Sequence, residues 1–329
     1  VWKFDAPRYW AAENYSIPQV ISRRAALINS RFKMDIKKVD KMVAIAQEVA
    51  LASKPVDIEF TLEQKPHFRL ESHGDAAPTG PSAPLKQARI TANPKISQAA
   101  EKVVSDTALK ASEGLQYLYE KGFEENMLSK MLSVGTLGLK KNRKLVPTRW
   151  SITATDDTLG KQLIEEIKDF PIADSTAFFG GYLGNNYLIL LLPDVFSYEL
   201  FEIYLPTGAY GIDHEFYDGK KAYASQTAGG YYAARLAILE RLRAMKKQAS
   251  ILAIRLITDD YHTGLGVWIV REASRKSVSS QPLAFADKSL LIEYARKLTK
   301  KKFGYDLDPI LRSSKVLHQV QEQKRLYQF

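Results

Sequence analysis

From Leu159 onward the sequence alternates strand-length apolar runs with longer stretches of helical period, and that alternation limits the fold more than any other feature. Residues 187–192, 200–205, 251–257 and 266–271 read as strands, rich in Leu, Ile, Val and aromatic side chains. Residues 229–247 place Ala233, Leu236, Ile238, Leu239 and Leu242 near helical period, and residues 287–302 read as a last helix. A helix over 159–170 is expected to start behind Asp156, Asp157 and Thr158, all residue types that cap helices.

Upstream the pattern is mainly helical. Residues 17–29 and 37–51 have helical period, the second through Val39, Met42, Val43, Ala46 and Val49. Residues 97–132 continue it, with breaks at Ser105-Asp106-Thr107 and Glu120-Lys121-Gly122, while 56–62 alternates as a strand. The stretch 73–86 contains three prolines and two glycines and is expected to be loop. The expected fold class is therefore mixed α+β. A mainly helical region over 1–135 carries the Pro/Gly loop, an α/β region over 136–310 opens with a basic block, and 311–329 is a flexible tail.

A chain of 329 residues buries a large core without covalent staples, and this one has no cysteine to make them. Disulfides and thiolate metal sites are excluded, and no zinc site is supported. No apolar run is long enough to span a membrane, so a cytoplasmic protein is expected. The opening Val1-Trp2-Lys3-Phe4 resembles neither a signal peptide nor a natural start. Lys and Arg number 47 against 37 Asp and Glu, a net charge of +10 that favours polyanionic partners.

That charge is sharpest between Met127 and Thr155, which holds Lys130, Lys140, Lys141, Arg143, Lys144 and Arg149 and no Asp or Glu. Read locally, the stretch is a helix, a Gly-containing turn and a basic extended segment ending in Pro147-Thr148-Arg149-Trp150, similar in order to a helix-turn-helix with a basic wing. Such a unit lays Lys and Arg along DNA phosphates with Trp150 available to stack; the competing reading is a solvated basic edge with Trp150 in the core. Gly229, Gly230 and Arg235 open a helix in a way that suits either a phosphate or close helix–sheet packing. The acidic and imidazole candidates are Asp156, Asp157, Asp213, His214 and Glu215. A metal-dependent nuclease or phosphodiesterase needs several carboxylates around Mg²⁺ or Mn²⁺, yet neighbours on a strand point to opposite faces. Three readings stay open: a DNA-binding adaptor, such a nuclease, and a nucleotide-binding enzyme using the Gly229-Gly230 turn.

Several stretches together resemble the archaeal Nre proteins: 80–86, the long basic block 137–153 with Asp156-Asp157, 227–235, 266–272 and the C-terminal glutamine motif. The resemblance covers nearly the whole chain. It implies a role in repair of DNA damage beside the nucleotide-excision repair proteins, with DNA and the sliding clamp PCNA as partners. Many family members begin with a cysteine-rich segment similar to a zinc finger, which this sequence lacks.

The tail reads Gln323-Lys-Arg-Leu326-Tyr-Gln-Phe329, matching the clamp-binding pattern Gln-x-x-aliphatic-x-x-aromatic. One turn at three residues per turn puts Leu326 and Phe329 on one side as a plug, and the Gln323 amide both donates and accepts at a pocket rim. The sequence stops one residue short of the second aromatic of a full motif, which predicts weak docking or a further residue beyond Phe329.

Overall fold

Side-chain and proline caps fix where the first helices begin. In the computed structural model, which describes residues 5–33, 40–68 and 79–322, helix α1 (Pro7–Ala12) opens with proline. Helix α2 (Ile17–Ala25) follows Ser16, whose amide donates to Gln19 Oε1 at 2.8 Å. After β1 (Asn29–Arg31), the Asp40 carboxylate accepts the amides of Met42 and Val43 and starts α3 (Lys41–Leu51). Strands β2 (Ile58–Leu62) and β3 (Ser82–Ile90) then complete a three-stranded sheet of order β1-β3-β2. Helices α4 (Gln98–Ser105), α5 (Ala111–Glu120) and α6 (Glu125–Ser133) fall between the breaks expected from the sequence. Trp10, Val20, Leu115, Leu118, Leu128 and Met131 are buried in this part of the chain.

Two expectations fail here. The Pro/Gly loop 73–86 lies partly outside the described residues, but Ser82 to Lys86 form the start of β3, the central strand. Pro84 is tolerated because β1 stops pairing at Arg31↔Pro84 and the β2 register shifts between Thr61 and Leu62. Its carbonyl still accepts the Glu63 amide at 3.0 Å. Secondly, the basic block forms no strand. Lys140–Asn142 is a 3₁₀ turn, and Pro147 leads directly into the 20-residue helix α7 (Thr148–Ile167). The Pro147 carbonyl accepts the amides of Trp150 and Ser151, so proline marks a helix start and not the end of a wing. Asp156 and Asp157 consequently sit in the middle of α7 rather than at a cap.

The chain divides into two compact units, Val1–Leu159 and Gly160–Phe329. The second is built on a six-stranded sheet of β4 (Thr176–Tyr182), β5 (Asn185–Leu192), β6 (Ser197–Tyr204), β7 (Ala209–Glu215), β8 (Ser250–Ile257) and the short β9 (Leu283–Ala284). Their order is β7-β6-β8-β5-β4-β9, antiparallel throughout except for β6 beside β8. Helices α8 (Ala228–Met245) and α9 (Trp268–Val278) cover one face. On the other face Leu188, Leu190, Phe201, Ile203, Leu252 and Ile254 pack against α10 (Lys288–Phe303), α11 (Asp308–Ser313) and α12 (Lys315–Glu322). Burial on both faces explains why these strands read as continuous apolar runs.

Residues 266–271, expected as a strand, belong instead to the entry of α9. From Trp268 to Ser274 that helix is buried, its polar Arg271, Glu272 and Ser274 included, and the apolar run Val267 to Val270 at its entry imitates a strand. The tail expected from 311 is ordered helix as far as Glu322, with Val316 and Leu317 buried.

The start of α12 is fixed by Glu199 of β6, which is 0 % exposed. Its carboxylate accepts the amides of Lys315 and Val316 at 3.0 and 3.3 Å and the Ser314 hydroxyl. A negative group there answers the unpaired donors and the positive end of the helix dipole. Burial pushes the Glu199 carboxyl above its ordinary range, and the hydrogen bonds from Ser314, Lys315 and Val316 pull it partly back. The folded state therefore holds this proton more tightly than the unfolded chain, and ionisation costs stability as pH rises from about 4.3 through the raised value. Below that window the cost is absent. Wild type should lose stability relative to Glu199→Gln across the window and run parallel to it above. Thermal unfolding of both proteins from acid to neutral pH measures this, and parallel curves throughout would show that burial does not perturb Glu199.

Candidate nucleic-acid interface

The basic block is shaped by a strap. Gly135 ends α6 at φ +74°, and a Cβ there would meet the Lys144 carbonyl oxygen at 2.6 Å, so only glycine lets the returning chain lie this close. Ser133 and Val146 lock the approach: the Ser133 hydroxyl donates to the Val146 carbonyl, and the Val146 amide donates to the Ser133 carbonyl, both at 2.8 Å. Arg143 closes the other side. Its guanidinium donates to the carbonyls of Gly138, Val104 and Asp106 at 2.8, 2.7 and 2.9 Å. Arg143 thus ties the block to the loop after α4.

The remaining cations of the block face outward. Lys140, Lys141, Lys144 and Arg149 are exposed, and Trp150 is 69 % exposed, which decides against Trp150 as a core side chain. Lys130 is exposed too, but it pairs with Asp5 at 3.3 Å. Lys110, about thirty residues upstream, lines a small cavity together with Asn142 and Lys144. Sequence reading missed it because only the packing of α5 against the 138–144 turn brings it there.

The acidic candidates are placed differently. Asp156 is buried within α7, and Asp157 follows it about 100° around the helix. In β7, alternation sends Asp213 and Glu215 towards α8 and His214 to the opposite face, where its ring meets Phe216 and lies opposite Glu199. Burial, then Lys315 and Lys220, lower the His214 pKa, and Asp213 opposes them. Asp213 accepts the amides of Gln226 and Thr227, the Thr227 hydroxyl and Lys220 Nζ. Glu215 accepts the Tyr231 hydroxyl at 3.0 Å and pairs with Arg235 at 2.7 Å, both side chains essentially inaccessible. Among the described residues, no three His, Asp or Glu side chains are arranged to hold a metal ion.

The start of α8 is occupied by the protein's own carboxylates. A Cβ on Gly230 would collide with Glu202 Oε1, and Asp213 holds the residues before the helix. Gly230 thus serves close helix–sheet packing, and Arg235 lies fully buried further along α8. Glu202 also pairs with Arg255 at 2.6 Å, and Arg255 Nε donates to Asn185 Oδ1 at 3.0 Å. The tail residues Gln323, Leu326 and Phe329 lie outside the described residues. No helix of the described chain is long and apolar enough to cross a membrane.

The amino-acid sequence has relatives among known proteins. The family model "Archaeal Nre, N-terminal" matches residues 1–211, and "Archaeal Nre, C-terminal" matches 215–329. The chain belongs to the archaeal Nre family. It is 38 % identical over 292 residues to the DNA repair protein NreA of Archaeoglobus fulgidus, covering 85 % of this chain and 73 % of that protein. It is 36 % identical to DNA repair protein NreB of the same organism, covering 90 % and 79 % of the two chains. The DNA repair protein NreA of Haloferax volcanii is 35 % identical over 295 residues, 84 % of this chain and 70 % of its own length. No solved structure matches the chain. The two family models meet inside β7, whereas the compact units meet within α7.

Arg143 is expected to act on stability. Arg143→Ala removes three hydrogen bonds from a charged donor and should cost at least about 2 kcal/mol. Arg143→Lys, lacking the planar fork, should restore only part of it. Denaturant midpoints report both; an unchanged midpoint for Arg143→Ala would remove the strap.

Proposed function

We propose that this protein is a DNA-repair factor that binds DNA through the exposed basic surface of its first unit and docks on the sliding clamp through its last seven residues. The observation that carries the DNA-binding half is the exposure of Trp150, Lys140, Lys141, Lys144 and Arg149 within a stretch that has no acidic residue between Met127 and Thr155. The first turn of α7 adds to it: it contains Arg149 and no acidic residue, so the positive end of the helix dipole reinforces the charge. The names of the relatives, all DNA repair proteins, give the pathway, and the resemblance extends it to work beside nucleotide-excision repair.

Removing the four outward cations tests the surface without touching the strap. Replacement of Lys140, Lys141, Lys144 and Arg149 by Ala should weaken DNA binding and flatten the plot of log affinity against log salt. Each lost phosphate contact takes away a slope of about 0.9 on duplex or about 0.7 on single strands. Fluorescence anisotropy at several salt concentrations measures the slope, and a folded variant with the wild-type slope sinks the assignment.

Clamp docking rests on the pattern Gln323, Leu326, Phe329, followed from a helix whose start is anchored by Glu199. Lys324 and Arg325 within the motif suit an acidic partner surface. Calorimetric titration of the clamp with intact protein and with a Leu326→Ala, Phe329→Ala double variant is expected to show binding only for the former. Equal affinities would rule the tail out as the docking element.

A further inference from the structure

The first unit contains an apolar trough whose wall is the basic block itself. One cavity of about 770 Å³ lies between the start of α1, the C-terminal half of α3 and α6, with Val49, Ala50 and Met127 among its lining. A second, of about 360 Å³, is lined by Phe32, Val43 and residues 145–148. The two share Ala46, Ser133, Val134 and Thr148, so they are neighbouring stretches of one depression. Thr148 on its rim is followed by Arg149 and the exposed Trp150. On the far side of the same 144–146 rib, a cavity of about 160 Å³ is lined by Lys110, Asn142 and Lys144.

A closed duplex uses only part of such a surface. It offers phosphates to lysines but keeps the faces of its bases stacked inside, out of reach of an apolar depression or an indole ring. Unpaired nucleotides present both chemistries at once: an anionic backbone for the cations, and flat apolar faces for Trp150 and the trough. The volume fits, since sites that enclose small aromatic ligands span roughly 300–1,000 Å³. The charge fits as well. Lys140, Lys141, Lys144 and Arg149 have no acidic partner among the described residues, whereas the acids of the trough are already engaged, Asp5 by Lys130 and Glu124 by Arg8. An apolar protein segment would use the depression but leave those four cations unanswered.

We infer that the trough and Trp150 receive unpaired bases of a DNA strand, while Lys140, Lys141, Lys144 and Arg149 hold its phosphates. The ligand is then DNA with single-stranded character, such as a gap, bubble or unstacked lesion, in preference to intact duplex. This rests on the DNA-binding reading above and narrows its substrate.

The test uses the full chain and labelled oligonucleotides of one sequence as single strand, duplex, and duplex with a central unpaired bubble, in fluorescence anisotropy at matched salt. Wild type should favour the single strand and bubble over duplex. Ala46→Leu, which fills the junction of the two cavities, and Trp150→Ala should each weaken single-strand binding on the order of tenfold, with duplex affinity changed twofold or less. Ala50→Leu, which narrows the larger cavity alone, provides the same test if Ala46→Leu lowers the melting temperature. Equal wild-type affinity for the three ligands overturns the inference. So does single-strand affinity that survives Trp150→Ala and both leucine variants; if the four-cation variant still weakens binding, the DNA surface stands and only the base trough falls. If the four-cation variant also binds as wild type, both readings fall together.

Discussion

The six-stranded sheet is buried on both faces, and each charge it carries is met by a partner supplied from inside the unit. Glu215 meets Arg235, Glu202 meets Arg255, and Glu199 meets the backbone of α12. Removing one member of such a pair leaves an unpaired buried charge and typically costs about 3–5 kcal/mol. These contacts therefore fix where α8 and α12 sit on the sheet. They also fix what the sheet's carboxylates are doing: Asp213 and Glu202 occupy the N-terminal end of α8, the place where a phosphate would otherwise find unpaired amides.

The first unit solves the opposite problem. It has to hold a run of like charges at the surface without letting it fray. The strap does this with backbone contacts rather than acidic partners: Ser133, Val146 and the three carbonyls under Arg143 fasten the loop while leaving Lys140, Lys141 and Lys144 in solvent. An acidic partner for each lysine would have stabilised the same loop and cancelled its field. Such a division of labour, one half-buried guanidinium for architecture and four outward cations, separates the residues that shape the proposed interface from those that touch a ligand.

Several of these assignments could be read in the sequence. The apolar runs at 187–192 and 251–257 gave β5 and β8, and the breaks at Ser105 and Gly122 separated α4, α5 and α6, because period and punctuation are local properties. The acid-free character of 127–155 and the family resemblance were equally visible. The entry of α9 was not, since the short run Val267 to Val270 is β-branched and aromatic and imitates a strand before the polar residues of the helix begin. Pro147 could be read as ending an extended segment or starting a helix, and only the amides of Trp150 and Ser151 on its carbonyl choose between them.

By itself the sequence determined the family, the mixed α+β class, the surplus of positive charge and its concentration in one block, because these depend on residue type and spacing alone. The tertiary structure decided which members of that block are available. Arg143 and Lys144 are neighbours with the same charge, yet one is folded under three carbonyls and the other is exposed. Likewise Asp213, His214 and Glu215 are consecutive, and the alternation of β7 divides them between two faces. Whether a charge is spent on architecture or left for a partner depends on which backbone passes within about 3 Å of it, and that proximity is a property of packing.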